Sequence, residues 1–237
     1  MKNEISTKKS FIALKSEINK QRVLVLLIAA AILLLSVYVA NIFHLLDEPL
    51  FSLVYYGNLN GIFYTVCAVI FYITVHRILA VILKRKQIFY FSPKSPKPLS
   101  IVKRAVIYSI ILAFGLGISI YLNFTLKVVY ELGERITGMQ LLNNGVNYVL
   151  ESTKILLAVS IIALVQEIFD SCFDTAIPLP VGGLVLFLTF GILEFIFNYS
   201  TFSPIYLIFS FVYGVIFLLA DKRTYLTFGI CVILYLL

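Results

Sequence analysis

Charged residues are scarce in this sequence, and their scarcity excludes an ordinary water-soluble fold. Asp, Glu, Lys and Arg make up 13% of the 237 residues and hydrophobic residues 61%, whereas soluble domains hold about 25% charged and roughly 45–50% apolar residues. The apolar residues form long runs, and a run inside lipid must satisfy its backbone hydrogen bonds internally. We therefore expect an all-α fold, a polytopic bundle of transmembrane helices.

Cysteine is also rare, with three residues in the chain. Cys67, Cys172 and Cys231 lie in or beside apolar segments, and no two of them have the short spacing that a zinc or redox motif needs. We interpret them as small, buried hydrophobic side chains.

The net charge of +7 is not accompanied by any nucleic-acid-binding motif. The cations cluster in short segments between apolar runs, where they orient a membrane protein and meet anionic lipid headgroups. The expected partner is therefore the lipid bilayer, and nucleic acid is not expected.

Seven apolar runs are candidates for membrane spans, because a core about 30 Å thick needs roughly 20 helical residues. The first run is longer than the ~7–15 apolar residues of a signal peptide, so we expect an uncleaved anchor. The last run covers only residues 224–237, which leaves open whether it crosses completely. The predicted spans are 23–43, 57–75, 105–126, 150–177, 181–197, 204–220 and 224–237.

Basic residues give this topology a direction. With seven spans, sixteen of the nineteen Lys and Arg residues fall on one side of the membrane, and such an excess is typical of cytoplasmic loops. We predict a cytoplasmic amino terminus and a multi-pass protein of the cell membrane. The sequence divides into a basic or interfacial segment (1–22), a three-span region with a proline-containing basic loop at 84–104 (23–149), and a four-span region (150–237).

Small residues form a stripe on the third predicted span. Ser109, Ala113 and Gly117 are spaced four residues apart, which lets another helix approach closely. We expect this stripe to pack within the chain, with dimerisation as the alternative.

Polar residues interrupt the fourth predicted span, where ionisable groups are costly and by default mark function. At 100° per residue, Glu167, Asp170, Ser171 and Asp174 fall on one face. Glu194, in the fifth span, is a second carboxylate at membrane depth. Two interpretations stay open. Either these groups line the bundle interior or a cavity, or the span ends near residue 169, the aspartates are wetted at the interface, and the glutamates only join helices.

The order of features from about residue 152 to the end resembles the CPBP family, also called the Abi or CAAX-protease-like family of intramembrane metalloproteases. That family carries Glu-Glu-x-x-x-Arg on one helix, Phe-x-x-x-His on a later helix and a further histidine motif on its last helix. Here Gln166 and Glu167 open the first motif, and Phe190 and Glu194 bound the second.

The resemblance implies a degenerate site. Glu167 matches the second motif glutamate and Phe190 the motif phenylalanine, while Gln166 replaces the glutamate expected to activate water. Asp170 or Ser171 stands where the arginine belongs, and Glu194 replaces the first metal-binding histidine. The second motif histidine has no counterpart. We therefore expect no catalytic residue, no metal site and no cofactor, with zinc expected only if the chain is an active protease.

The two histidines of the chain do not replace the missing ligands. His44 lies at the outer end of the first predicted span and His76 near the inner end of the second, about a membrane thickness (~30 Å) apart. Hydrolysis of this type needs a metal held by imidazole or carboxylate ligands, with a base beside its bound water.

Three functional hypotheses follow. The resemblance implies first a bacterial plasma-membrane pseudoenzyme that binds a membrane or cell-envelope protein, in bacteriocin immunity or regulation. The second is a divergent active protease that uses Glu167 and Glu194. The third is a small transporter or transporter subunit in which the same two carboxylates relay protons or bind a cationic solute.

Overall fold

The computed structural model describes residues 20–39, 60–86, 88, 100–123, 129, 138–173, 179–191 and 203–237. Most of these residues are helical and none of them is in a strand, which confirms the all-α prediction. Four helices, α1 to α4, contain segments long and apolar enough to cross a membrane, and two shorter apolar helices, α6 and α7, follow near the carboxyl end. The helices are α1 (Lys20–Val39), α2 (Asn60–Arg85), α3 (Ile101–Asn123), α4 (Gly138–Cys172), α5 (Val181–Leu186, continued as a π-helical turn at Phe187–Gly191), α6 (Ser203–Leu219) and α7 (Thr224–Leu236).

Helix α4 is the centre of the bundle. It packs against α2, α5, α6 and α7, so neighbours cover several of its faces. Residues 155–165 of α4 are apolar apart from Ser160, as expected of a helix segment that is buried on every side. Leu157, Val159, Ile162 and Leu164 have no exposed surface, and Ser160 donates its hydroxyl to the Leu156 carbonyl oxygen (2.8 Å).

Glycines let α5 lie close to both α4 and α6. A Cβ atom at Gly182 would collide with the Ile162 carbonyl oxygen of α4, and one at Gly183 would lie 2.6 Å from the Gly214 Cα atom of α6. Larger residues at these positions would force the backbones apart. These glycines therefore determine how closely the backbone of α5 packs against those of α4 and α6.

Helix α1 runs antiparallel to α4. It begins beside the end of α4, where Arg22 forms an ion pair with Glu167. Leu26, Ala29 and Leu33 follow along one face of α1 and are buried. Because their spacing is that of a helical stripe, one face of α1 packs on the bundle and the other faces outward.

Helix α2 runs parallel to α4, although α3 lies between them in the chain. Near the start of α2, the Thr65 hydroxyl lies 3.5 Å from the Asn147 side-chain oxygen of α4. Two turns later, the Tyr72 hydroxyl donates to the Val37 carbonyl oxygen of α1 (3.4 Å). Since α1 is antiparallel to α4, these two contacts place the end of α2 at the same end of the bundle as the end of α4.

Helix α7 runs antiparallel to α4. Lys222, just before α7, forms an ion pair with Asp170 near the end of α4. The Tyr235 ring, near the end of α7, lies 6.4 Å from the Tyr148 ring in the first half of α4, edge to face. The described helices therefore alternate in direction. We call the end where α1, α3, α5 and α7 begin and α2, α4 and α6 finish the charged end.

Helix α3 lies at the edge of the bundle. Only 6% of its apolar, potentially membrane-spanning segment is buried within the bundle. Among α2 to α7, its main neighbour is α7. Gly115 provides the contact, because a Cβ atom there would collide with the Leu234 side chain of α7. The stripe of Ser109, Ala113 and Gly117 is exposed, and no described atom lies within 4 Å of a Cβ built at Gly117. The expected packing of this stripe is therefore not made by the described residues.

The bounds of the fourth span differ from the prediction of 150–177. Helix α4 already begins at Gly138 and ends at Cys172. Its early start includes Asn144 and Asn147, residues with low helix propensity, and the Asn147 side chain contacts Thr65 of α2. The predicted regional boundary at 149/150 falls inside this helix and stays a prediction. Helix α2 is longer than predicted, so Lys84 and Arg85 form its last turn and not the start of a loop.

Candidate functional site

Gln166 joins α4 to the start of α5. Its side chain is 2% exposed, its oxygen accepts a hydrogen bond from the Gly182 backbone N–H (3.3 Å), and its amide nitrogen donates to Asp170 Oδ1 (3.1 Å). The N-cap residue of α5 is Pro180, which makes no side-chain capping bond. Because the first N–H groups of a helix lack intrahelical acceptors, Gln166 supplies from another helix the cap that α5 lacks locally.

Glu167 joins α4 to α1. Its carboxylate is paired with the Arg22 guanidinium, and the side chains are 13% and 33% exposed. The Glu167 backbone carbonyl also accepts the Ser171 hydroxyl (2.7 Å). A half-buried ion pair between two helices restricts how they slide past each other, because separating it leaves a poorly solvated charge.

Asp170 joins α4 to the turn between α6 and α7. One carboxylate oxygen accepts from the Gln166 amide, and the other is paired with the Lys222 ammonium group. The carboxylate is 32% exposed, and α4 ends two residues later. Of the two interpretations left open by the sequence, the described residues favour the one in which this aspartate lies at the end of its helix.

The turn after α6 continues the same pattern of ion pairs. Asp221 is paired with Arg104, in the first turn of α3. The Lys222 N–H bonds to the Phe217 carbonyl oxygen (2.9 Å) and the Asp221 N–H to the Leu218 carbonyl oxygen (3.1 Å). This is the Schellman arrangement, in which glycine is usual at the left-handed position.

Neither residue at the left-handed positions of this turn is glycine. Asp221 has φ 53° and Lys222 has φ 61°. Asp tolerates this region better than Lys does, and such conformations persist where the surrounding structure holds them. Here both side chains are held by ion pairs, to α3 through Arg104 and to α4 through Asp170.

The structure brings together part of the predicted site. Gln166, Glu167 and Asp170 lie within one turn of α4 at the charged end. The backbone of Phe190 belongs to the π-helical turn that continues α5, and π-helical turns are frequent at functional sites. Glu194, Asp174 and His44 lie outside the described residues, so the predicted pairing of Glu167 with Glu194 stays a prediction.

The histidine and cysteine predictions have mixed outcomes. His76 is in α2 and its side chain is buried. Within the described part of the chain, no three His, Cys, Asp or Glu residues lie close enough together to share a metal ion. Cys231 is buried as predicted, whereas Cys172 is exposed because it is the last residue of α4. The prediction of a buried cysteine was wrong at that position.

Three cations were missed as members of this cluster. Arg22, Arg104 and Lys222 were interpreted only as orientation signals, yet each forms an ion pair with a carboxylate of another element. The signal in the sequence was their position, since each lies at a predicted helix end on the same side as Asp170. The described arrangement is therefore a set of ion pairs and hydrogen bonds that join different helices. No family model, curated protein or solved structure matches this chain.

Proposed function

We propose that this chain is a non-catalytic, multi-pass membrane protein that acts by binding a membrane or cell-envelope protein. In this proposal it crosses the bilayer about seven times, with the amino terminus in the cytoplasm of a bacterial cell. It is a degenerate relative of the CPBP family that keeps the bundle and has lost the metal-binding histidines. Immunity to a bacteriocin or regulation of an envelope enzyme are the roles that this resemblance implies.

The support for a non-catalytic role is what the motif positions contact. Gln166 stands where a glutamate would activate water, and its side chain caps α5 and binds Asp170. Glu167 is engaged by Arg22 and Asp170 by Lys222. The partners of these groups fix their positions. We therefore expect a substitution at any of them to change helix packing and stability, and not to abolish a catalytic reaction.

A zinc and cleavage assay tests this role. Purified protein in detergent is analysed for bound zinc and incubated with membrane-protein substrates, alongside Glu167→Ala and Glu151→Ala. The second variant is a matched control, because Glu151 is also a half-buried glutamate of α4 in an ion pair, with Lys154 (2.8 Å). We expect no stoichiometric zinc and no cleavage in any of the three proteins. Stoichiometric zinc, with cleavage lost in Glu167→Ala and kept in Glu151→Ala, would overturn the proposal.

Photo-crosslinking tests the binding role. A photoreactive residue is placed at an outward-facing position of α1, α2 or α3, for which Ile28, Ile70 and Ile110 are more than half exposed. We expect one helix to yield a discrete crosslinked protein in the native membrane, and the others to yield only lipid. The buried position Leu157 serves as the negative control. Capture of no protein from all three helices, or of an unselective mixture from each, would contradict a specific partner.

A further inference from the structure

Exposed cations surround the charged end of the bundle. They occur at the start of α1, the end of α2, the start of α3 and the start of α7, and no ion pair within the described part of the chain includes them. We call these residues the cationic rim: Lys20, Lys84, Arg85, Lys86, Lys103 and Arg223. We propose that the cationic rim is a binding surface for the headgroups of anionic phospholipids.

Within the part of the chain that the structure describes, no carboxylate is left unpaired beside this rim. The carboxylates described at the charged end are those of Glu167, Asp170 and Asp221, and each is paired with a cation of another element. The negative charge of these three carboxylates is therefore neutralised by ion pairs within the bundle. Among the described residues, the exposed unpaired charges at this end are therefore all positive. Lysine and arginine side chains near an anionic surface contribute about 1 kcal/mol each.

Exposed aliphatic side chains lie beside these cations, and they distinguish a lipid from an acidic protein as the occupant. Val81 (51% exposed) precedes Lys84 by one turn of α2, and Ile101 and Val102 (84% and 72%) directly precede Lys103. A soluble acidic segment or a nucleic acid would leave these aliphatic groups in water. A phospholipid satisfies both, because its phosphate meets the cation and its acyl chains cover the aliphatic side chains.

The opposite end of the bundle provides the contrast. The charges described there are those of Glu151 and Lys154, which pair with each other and cancel. Among the described residues, the two ends of the bundle therefore differ in charge, and the two leaflets of a bilayer would meet different described surfaces. The inference requires that the chain spans a membrane, and it is independent of whether the chain cleaves peptides.

Lipid retention tests the inference. The protein is equilibrated in micelles that contain equal amounts of phosphatidylglycerol and phosphatidylcholine, and retained lipid is counted by native mass spectrometry. We expect wild-type protein to retain phosphatidylglycerol preferentially. The triple change Lys84→Gln, Arg85→Gln and Lys86→Gln should lower that preference by about a hundredfold, because three cations at about fivefold each multiply to roughly 125-fold.

A triple change of equal charge is the control. Lys127→Gln, Arg135→Gln and Lys154→Gln remove the basic residues that the sequence places away from the charged end, and they should leave the preference unchanged. Should the rim variant fail to fold, a salt titration of the wild-type chain tests the same point, since raising NaCl to about 0.5 M should abolish an electrostatic preference. Equal retention of both lipids, equal loss in both triple variants, or tighter binding of soluble polyglutamate than of phosphatidylglycerol would overturn the inference.

Discussion

Gln166 shows how one buried amide can serve two elements. Its oxygen accepts from the α5 backbone and its nitrogen donates to Asp170. A glutamate, the residue of the family motif, has no hydrogen to donate when it is ionised. Glutamine therefore suits this position because its amide nitrogen can donate to the Asp170 carboxylate, whereas an ionised glutamate would repel it.

We predict that Gln166→Glu lowers the thermal unfolding midpoint of the protein in detergent. The change loses the hydrogen bond to Asp170 and adds a like charge, so we expect a cost of about 1–3 kcal/mol, typical of a buried polar group that has lost its partner. Gln166→Met, which removes both hydrogen bonds without adding charge, measures the loss that comes from the hydrogen bonds alone. A Gln166→Glu protein as stable as the wild type would contradict the hydrogen-bond assignment.

The left-handed turn before α7 gives a second prediction at this scale. Lys222→Met removes the ion pair with Asp170 and keeps a side chain at φ 61°. Lys222→Gly removes the ion pair and the conformational cost together. We therefore expect Lys222→Gly to be more stable than Lys222→Met by about 1 kcal/mol, the usual cost of a left-handed residue with a side chain. Denaturant titration followed by circular dichroism measures the difference, and the reverse order would refute the strain at this turn.

At the scale of elements, glycine determines the packing of α5. Its close approaches to α4 and α6 occur at Gly182 and Gly183, whereas Gly117 of α3 faces open space. All three are in helices, where replacing glycine by alanine is otherwise favourable. The chain therefore contains its own comparison between a glycine required by packing and one that is not.

We predict opposite signs for two alanine substitutions. Gly183→Ala should destabilise the protein by about 1–3 kcal/mol, the usual range for overpacking. Gly117→Ala should be neutral or stabilise it by up to about 1 kcal/mol through helix propensity. The unfolding midpoints of both variants in the same detergent test this pair. If Gly183→Ala proved as harmless as Gly117→Ala, the close packing of α5 on α6 would be disproved.

Helix existence could be predicted from the sequence, because apolar run length and the need for internal hydrogen bonds determine it. The start of α4 could not, since Asn144 and Asn147 favour turns locally, and this part of the helix packs on α2, where Asn147 contacts Thr65. The placement of Glu167, Asp170 and Ser171 on one face of a helix was predicted from their spacing, and Gln166 was singled out only as a motif position. Their partners were not, because ion pairs such as that of Arg22 with Glu167 join residues far apart in sequence.

At the scale of the whole molecule, alternating helices determine which residues share a membrane surface. Lys86 follows α2 at the charged end, and Lys154 lies in the first half of α4, whose start is at the opposite end. If the bundle crosses a bilayer with its charged end inside, these two positions face different compartments. The positive-inside tendency gives the direction.

We predict that a cysteine at position 154 is modified from outside intact cells and one at position 86 only after lysis. The substitutions are Lys154→Cys and Lys86→Cys, made in a chain whose three native cysteines are replaced by alanine, and the reagent is a membrane-impermeant maleimide. The cysteine-free chain is the control for unspecific labelling. Labelling of both cysteines from the same side would contradict the alternation of the helices, and the inverse pattern would place the charged end outside.

The edge position of α3 has a consequence for how the protein is made. Its described contacts run to the turn before α7 through Arg104 and to α7 itself through Gly115, both of which are synthesised about a hundred residues after α3. At about 5–20 residues per second, the ribosome needs several seconds to cover that distance. If α3 crosses a bilayer, as its length and apolar composition allow, it stays there during this interval without its neighbour α7, and a membrane chaperone or the insertion machinery has time to act on it.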